Sequence, residues 1–203
     1  MPLTERKLRP VVLDGQEVRL EPLSDSHFEN LCAIGADEEI WRWMPTVVRT
    51  PQELRSWLEN ALEEQRKGIA LPWTIVERSS GLVAGSTRFG NIDMTNRRVE
   101  IGWTWIGTRW QRTRVNTETK YLMLRHAFES LGCVRVEFKT DALNERSRKA
   151  LLRIGAKEEG TLRRHMITSS GRVRDTVYFS ILDSEWPAAQ NALKAKLAPI
   201  VRS

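Results

Sequence analysis

The stretch Trp110-Gln-Arg-Thr-Arg-Val-Asn-Thr-Glu118 concentrates polar and cationic side chains in one short turn, with Arg109 immediately ahead of it. What these residue types can do together depends on the elements that hold them. After the turn, Val115, Tyr121, Leu122, Leu124, Ala127, Phe128 and Leu131 recur at three- and four-residue steps while Lys120, His126 and Glu129 fall between them, the periodicity of one amphipathic helix. Gly132 supplies a left-handed stop, and Val99-Glu-Ile-Gly-Trp-Thr-Trp-Ile106 ahead of the turn has the β-branched and aromatic content of a strand. The first turn of a helix carries backbone N–H groups without intrahelical partners and the positive end of the macrodipole, and a phosphate can take up both. Arg109, Arg112 and Arg114 add fixed cations, so the stretch is predicted to bind an anion.

At 203 residues and 40% hydrophobic content, the chain suits one globular domain with a substantial core. Its net charge of +6, from 32 basic and 26 acidic residues, favours anionic partners such as a cofactor phosphate, an acidic peptide or RNA without choosing among them. Cys32 and Cys133 make neither a metal-ligand spacing nor a disulfide framework, as in a reducing cytosol. The basic segment Met1 to Pro10 is followed only by Val11-Val-Leu13 before Asp14-Gly15, so no signal-peptide core is read there, and no apolar run approaches a bilayer span. A cytoplasmic protein without membrane contact is expected.

Taken in order, Asp14-Gly15 is a hairpin signal between two short strands, and Ser24 or Asp25 caps a helix reaching Ile34. The segment Asp37-Glu-Glu-Ile-Trp-Arg-Trp-Met44 is aromatic for a connection. Thr50-Pro51 opens a second helix to Lys67, with Leu54, Trp57, Leu58, Ala61, Leu62 and Gln65 along one face. Strands follow at Leu71 to Glu77 and Leu82 to Gly90, so three antiparallel strands run into the central helix. Beyond it Val134, Val136 and Phe138 alternate with Arg135, Glu137 and Lys139, a further strand. A helix from Asn144 to Ile154 and two closing strands, Ala156 to Thr168 and Arg172 to Leu182, complete a mixed α/β domain over residues 11–186. Residues 1–10 read as a flexible tail, and 187–203 as a helical extension carrying Ala189, Leu193 and Leu197.

The order of elements, the turn, and the segments Asn144-Glu-Arg-Ser147, Leu152-Arg-Ile-Gly-Ala156, Glu158-Glu-Gly-Thr-Leu-Arg163 and Gly171-Arg-Val-Arg-Asp175 leading into Tyr178 resemble the Gcn5-related N-acetyltransferase (GNAT) superfamily, RimJ/RimL-like branch, over about residues 12–186. The family's acyl-CoA loop, Gln/Arg-x-x-Gly-x-Gly/Ala, falls on Gln111, Arg114 and Asn116, so both glycines are replaced. The resemblance implies a mostly antiparallel central sheet with a V-shaped splay, flanked by helices, and acetyl-CoA as the donor. It implies that the pantetheine arm enters the splay and pairs with the backbone of Trp105 and Ile106. The phosphates would lie over Arg112, Thr113, Arg114, Val115, Asn116 and Thr117, and Asn144 would contact the pantetheine. Trp41 and Trp43, with Trp103, would border the acceptor, the other reading of Trp41 and Trp43 being that they pack under the loop as core.

Acetyl transfer to an amine requires a neutral nucleophile, a stabilised carbonyl oxygen and a leaving thiolate that receives a proton. Because an alkylamine is mostly protonated at neutral pH, a carboxylate must accept its proton. Glu100, beside Trp103 and Trp105, is the first choice and Glu137 the second. Many superfamily members place a tyrosine where Leu151 stands, and in this branch Ser147 is the implied substitute at the thiolate. Gly-x-x-x-x-Gly-Lys-Ser/Thr, Gly-x-Gly-x-x-Gly, His-Glu-x-x-His and Gly-x-Ser-x-Gly motifs are missing, and His27, His126 and His165 are scattered, so no metal site is read. The reading is an acetyl-CoA-dependent N-acetyltransferase, monomer or homodimer, acting on a protein N-terminus or a small-molecule amine, with nucleic acid unneeded. Its alternative is a catalytically weak acyl-CoA-binding or RNA-associated module, motivated by the lost glycines and the basic surface.

Overall fold

A computed structural model gives the chain's structure and describes residues 8–198. One eight-stranded sheet runs in the order β1-β2-β3-β4-β5-β6-β8-β7. Its strands are β1 (Leu13–Asp14), β2 (Val18–Pro22), β3 (Leu71–Glu77), β4 (Val83–Asp93), β5 (Arg98–Ile106), β6 (Arg135–Asp141), β7 (Lys157–Ile167) and β8 (Val173–Leu182). The helices are α1 (Phe28–Gly35), α2 (Glu38–Trp41), α3 (Pro51–Arg66), α4 (Arg114–Arg125), α5 (Glu145–Arg153) and α6 (Trp186–Leu197). Every neighbouring pair is antiparallel except β5 and β6, the strands that α4 connects. The helix that periodicity carries to Leu131 changes pitch at its end. Residues His126–Ser130 form a π-turn, closed by Leu131 N–H donating to His126 O at 3.0 Å.

The parallel pairing spans only Arg98, Val99 and Glu100 against Arg135, Val136 and Glu137. From Ile101 onward β5 keeps β4 as its neighbour and leaves its other edge open, which is the splay that the resemblance implies. A bulge accompanies the parting: Ser86 pairs with Trp105 and Arg88 with Gly102, so Trp103 and Thr104 together oppose Thr87. Trp103 takes φ +49, a left-handed conformation rare for a bulky residue. Its ring lies where a Cβ on Gly90 would come within 2.3 Å, so the absent side chain at Gly90 makes room for the bulge.

The bulge inverts the alternation of side chains along β5. Thr104 turns toward α4, where its hydroxyl meets Thr87 Oγ1 at 2.8 Å and Lys120 Nζ at 2.7 Å. Trp105 turns to the opposite face and packs with Trp41 and Trp57 at ring-centroid distances of 5.1 and 5.7 Å. Two cores result. One joins Phe89, Val99, Ile101, Phe138 and Phe179 to Leu122 of α4, Leu151 of α5 and Leu193 of α6. The other joins Leu31, Trp41, Leu54, Trp57 and Leu58 of α1–α3 to Val83 and Trp105.

The tail assignment lies mostly on residues 1–7, outside the described residues, while Leu8 packs on the first core. The last helix is not an appendage to that core: Trp186, Ala189 and Leu193 are buried in it. The N-terminal hairpin is tied to α4 by Glu118, whose carboxylate accepts the N–H groups of Gln16, Glu17 and Val18 at 2.9, 2.6 and 2.7 Å. Gly15 permits this approach, because a Cβ there would stand 2.4 Å from Glu118 Oε2. Removing the charge in Glu118→Gln should lower the unfolding free energy by about 1–3 kcal/mol in urea titrations, since buried N–H groups lose a charge-assisted acceptor. An unchanged midpoint would mean that the hairpin does not depend on this contact.

Lys120 of α4 is buried and its one hydrogen-bond partner among the described residues is Thr104; desolvation lowers its pKa from 10.5 to about 7. The unfolded chain therefore binds the proton more readily between about pH 7 and 10.5, and stability rises with pH across that window. Lys120→Met should be more stable than the parent by on the order of a few kcal/mol at pH 7, with the gap closing by pH 10. The same gap at both pH values in urea unfolding would rule out a titrating Lys120 as its source.

Candidate functional site

The open edge of β5 and the N-terminus of α4 meet at one turn. Gly107 N–H bonds Ala84 O at 2.9 Å, so alternation along the strand directs the main chain of Ile106 to the open edge. There the Ile106 carbonyl accepts Gln111 Nε2 at 3.0 Å. Trp105 turns its main chain toward β4, where it pairs with Ser86, and leaves Ile106 as the strand's last donor and acceptor on the splay. An extended arm carrying amides can pair there as an added strand, and an N–H at that edge can polarise a carbonyl oxygen.

Thr113 is the N-cap of α4: its hydroxyl accepts Val115 N–H at 3.2 Å and donates to Trp110 O at 2.7 Å. The N–H groups of Arg114 and Asn116 lie in the same first turn, where the helix offers them no partner. Val115 and Thr117 bury their side chains, so they offer a ligand main chain only. The turn requires one left-handed residue, and Arg112 supplies it at φ +62. Arg114 and Asn116, in the family's glycine places, are helical and need no glycine.

The structure corrects the expected role of the Arg114 side chain. Its guanidinium turns away from the turn to Glu17 at 3.3 Å and to the carbonyls of Leu197 and Ala198 at 3.4 and 2.8 Å, the C-terminal end of α6. A cation is favourable at that end of a helix dipole. Arg112 is exposed and makes no hydrogen bond among the described residues. Arg146, which periodicity gave no reason to single out, reaches Gln111 Oε1 at 2.5 Å from α5, and Arg153 reaches Thr117 Oγ1 at 3.2 Å. The turn is therefore bordered by cations from both sides of the splay.

On the α5 side, Asn144 caps the helix by accepting Ser147 N–H at 3.0 Å. The Ser147 hydroxyl has no partner among the described residues, and Leu151 behind it is buried.

Glu100 sits at the last parallel pair, on the sheet face opposite α4, and is 5% exposed. Its Oε2 receives Asn91 Nδ2 at 2.5 Å and Lys139 Nζ at 2.8 Å, while Oε1 receives nothing among the described residues. Burial works against the Lys139 ammonium, but the hydrogen bond and charge of Glu100 outweigh it and hold the Lys139 pKa above its ordinary value. Glu137 differs, because its Oε1 is shared by Arg98 at 3.2 Å and Arg135 at 2.8 Å.

Of the tryptophans expected at the acceptor mouth, Trp41 is instead fully buried, with its indole N–H donated to Gly35 O at 2.8 Å, and backs the wall from within the second core. Trp43 is half-buried, and the guanidinium of Arg172 lies 5.5 Å from its ring. Ser169 of the β7–β8 turn fastens this loop through Pro45 O at 2.9 Å and Val47 N at 3.0 Å. Trp103 is half-buried over Gly90, with Arg88 between its ring and that of Trp57 at 5.4 and 5.2 Å.

The comparisons with known proteins agree with this geometry. A family model described as "Acetyltransferase (GNAT) domain" matches residues 17–157, and the chain belongs to that family. Superposition on a GCN5-related N-acetyltransferase from Brucella melitensis gives a TM-score of 0.88 at 35% identity, covering 95% of this chain and 88% of that one. YdaF of Bacillus subtilis, described provisionally as a ribosomal N-acetyltransferase, is 35% identical over 106 residues, 52% of this chain and 57% of the relative. Mycobacterium smegmatis RimJ, solved in complex with CoA-disulfide, shares the fold with a TM-score of 0.77 at 24% identity, covering 92% of each chain. The protein is thus a GNAT acyltransferase. No helix among the described residues is long and apolar enough to cross a membrane.

If the turn takes the cofactor's phosphates, Arg112→Glu combined with Arg146→Glu should weaken acetyl-CoA binding by about 10- to 100-fold in calorimetry. Arg114→Glu should act mainly on the anchoring of α6 and cost much less affinity. The reverse ranking would place the phosphates elsewhere.

Proposed function

We propose that the protein is an N-acetyltransferase that moves an acetyl group from acetyl-CoA directly to a primary amine, with Glu100 accepting the amine proton. The observation that carries the catalytic assignment is the asymmetry of the Glu100 carboxylate. Oε2 is held by Asn91 and Lys139, which fix its orientation, while Oε1 stays uncommitted on a buried group where β5 leaves β6. A fixed carboxylate with one free oxygen can take a proton from an ammonium directly or through one water. Glu137, the second choice, gives its Oε1 to two arginines.

The residues present fit acetyl-CoA. Ile106 supplies a strand-edge N–H, Gln111 and Thr113 shape the turn, the first-turn N–H groups of Arg114 and Asn116 with Arg112 and Arg146 suit the phosphates, and Asn144 lies at the start of α5. Ser147 is placed to donate a hydrogen bond to the leaving thiolate, which solvent can also protonate. The alternative of a catalytically weak binding module loses its main motive, since neither replaced glycine has a conformation that requires glycine.

A protein or peptide N-terminus is the acceptor we favour, supported by the description of YdaF as a ribosomal N-acetyltransferase. A cytoplasmic site of action accords with the two unpaired cysteines.

Glu100→Gln should lower turnover by roughly a hundredfold near neutral pH while leaving acetyl-CoA affinity nearly unchanged, and the deficit should shrink as rising pH supplies free amine. Ser147→Ala should lose less. Parental turnover in Glu100→Gln across the pH range would remove the carboxylate from the proton path.

A further inference from the structure

Helices α1–α3 cover the sheet face that carries Trp105 and leave its continuation over β6 and β8 to polar side chains. Because strand residues alternate, Glu137, Lys139 and Asp141 of β6 and Arg174, Thr176 and Tyr178 of β8 lie on that face with Glu100. Lys139 links them, with its Nζ on Glu100 and 4.9 Å from the centroid of the Tyr178 ring.

Arg174 is the residue on this face that its surroundings leave unexplained. It is 5% exposed, yet its guanidinium makes no hydrogen bond among the described residues, and its buried Nε has only a long ion pair. Its nearest anion, Asp141, stands 3.8 Å away at Oδ2, and that oxygen is already bonded to Arg172. The other oxygen of Asp141 accepts Leu143 N–H at 2.9 Å. A buried guanidinium is retained at least cost when its planar fork meets a carboxylate, and here the fork is unused. The local charges point the same way. With Glu137 on the same face taken up by Arg98 and Arg135, Lys139, Arg172 and Arg174 are left facing Asp141 and Glu100, and Arg174 lies within the field of both carboxylates. The surface remains reachable, since Trp43 and Tyr178 are half-buried and the side chains of Arg172 and Lys139 are 34% and 21% exposed.

We infer that the acceptor is a primary amine that also carries a carboxylate, with the amine at Glu100 Oε1 and the carboxylate on the fork of Arg174, supported by Arg172. The inference rests on the acetyl-transfer reading above and adds the chemical class of the acceptor. Binding completes the ion pairing of Arg174 and rejects acceptors that bring no anion to it. Two sources share this chemistry, an acidic side chain close to a peptide N-terminus and the carboxylate of a free amino acid. Arg163 and Arg164 lie in a separate bulge, where Arg164 N–H is bonded to Asp175, and take no part.

The test measures kcat/KM with acetyl-CoA for matched acceptors: peptides with Asp or Glu as second residue against the same peptides with Asn or Gln, and free amino acids against their amides. The parent enzyme should prefer the acidic member by about 10- to 100-fold in the pair that represents its acceptor. The preference should fall below about threefold in Arg174→Met and be intermediate in Arg174→Lys, which keeps the charge without the fork. Acetyl-CoA calorimetry and the melting temperature report whether each variant is folded. Should Arg174→Met not fold, Arg172→Gln serves in its place, because it frees Asp141 to engage Arg174 and should also reduce the preference. A parent enzyme that acetylates acidic and neutral members equally, or a preference untouched in folded variants, overturns the inference while acetyl transfer stands. Failure to acetylate any amine overturns both.

Discussion

The structure turns on the point where β5 stops pairing with β6. Three parallel pairs hold the strands together, and the bulge at Trp103 and Thr104 then bends β5 away. Without that extra residue the alternation would place Trp105 against α4 and Thr104 among the tryptophans of α2 and α3, exchanging an indole for a hydroxyl in each core. The register of β5 is thus fixed from both faces, by the aromatic trio on one side and by the Thr87, Thr104 and Lys120 hydroxyl–amine group on the other. A strand so constrained leaves an open edge beyond Ile101, and that edge is where Ile106 meets the turn.

Charge is distributed in keeping with this geometry. Arg88 is pushed down by burial, and Glu64 at 2.7 Å together with two indole faces offsets the desolvation, so it acts as a strut for the bulge. Glu118 and Arg114 are likewise committed to holding α4 against the hairpin and α6. Among the groups that make no such bond within the described residues are Arg112, the Ser147 hydroxyl, Glu100 Oε1 and the fork of Arg174. They border the splay or the polar face beside it, as expected where a scaffold spends its paired charges on position and leaves unpaired ones for ligands.

Much of this was legible in the sequence because it depends on local periodicity. The ends of α3, the strand at Val134 to Lys139 and the helix to Ile154 follow from apolar spacing and turn chemistry, and the family segments carried the overall fold. Long-range register was not legible. Nothing in the alternation of β6 says that Lys139 faces Glu100, because that depends on a three-pair parallel ladder between segments more than thirty residues apart. For the same reason Trp41 could not be assigned to core or mouth, and Arg114 could not be sent to the end of a helix eighty residues away. The bulge had a local trace in Gly90, but a lone glycine in a strand does not say which neighbour needs its space.

The turn before α4 shows how the fold dispenses with the glycines of the family's loop. Replacing glycine is harmful where φ must be positive, at a cost of roughly 1–2 kcal/mol for an L-residue. Here the helix begins at Arg114, so the two glycine places fall inside it and the left-handed residue moves to Arg112. That residue then bears two unfavourable features at once: a strained backbone, and a cation beside the positive end of a helix dipole with no counter-charge among the described residues within hydrogen-bonding distance. Neither contributes to the stability of the free protein, and Thr113 and Gln111 hold the turn in spite of them. Both become favourable only when an anion occupies the turn, because the same strain presents the N–H groups and the same cation meets a negative charge.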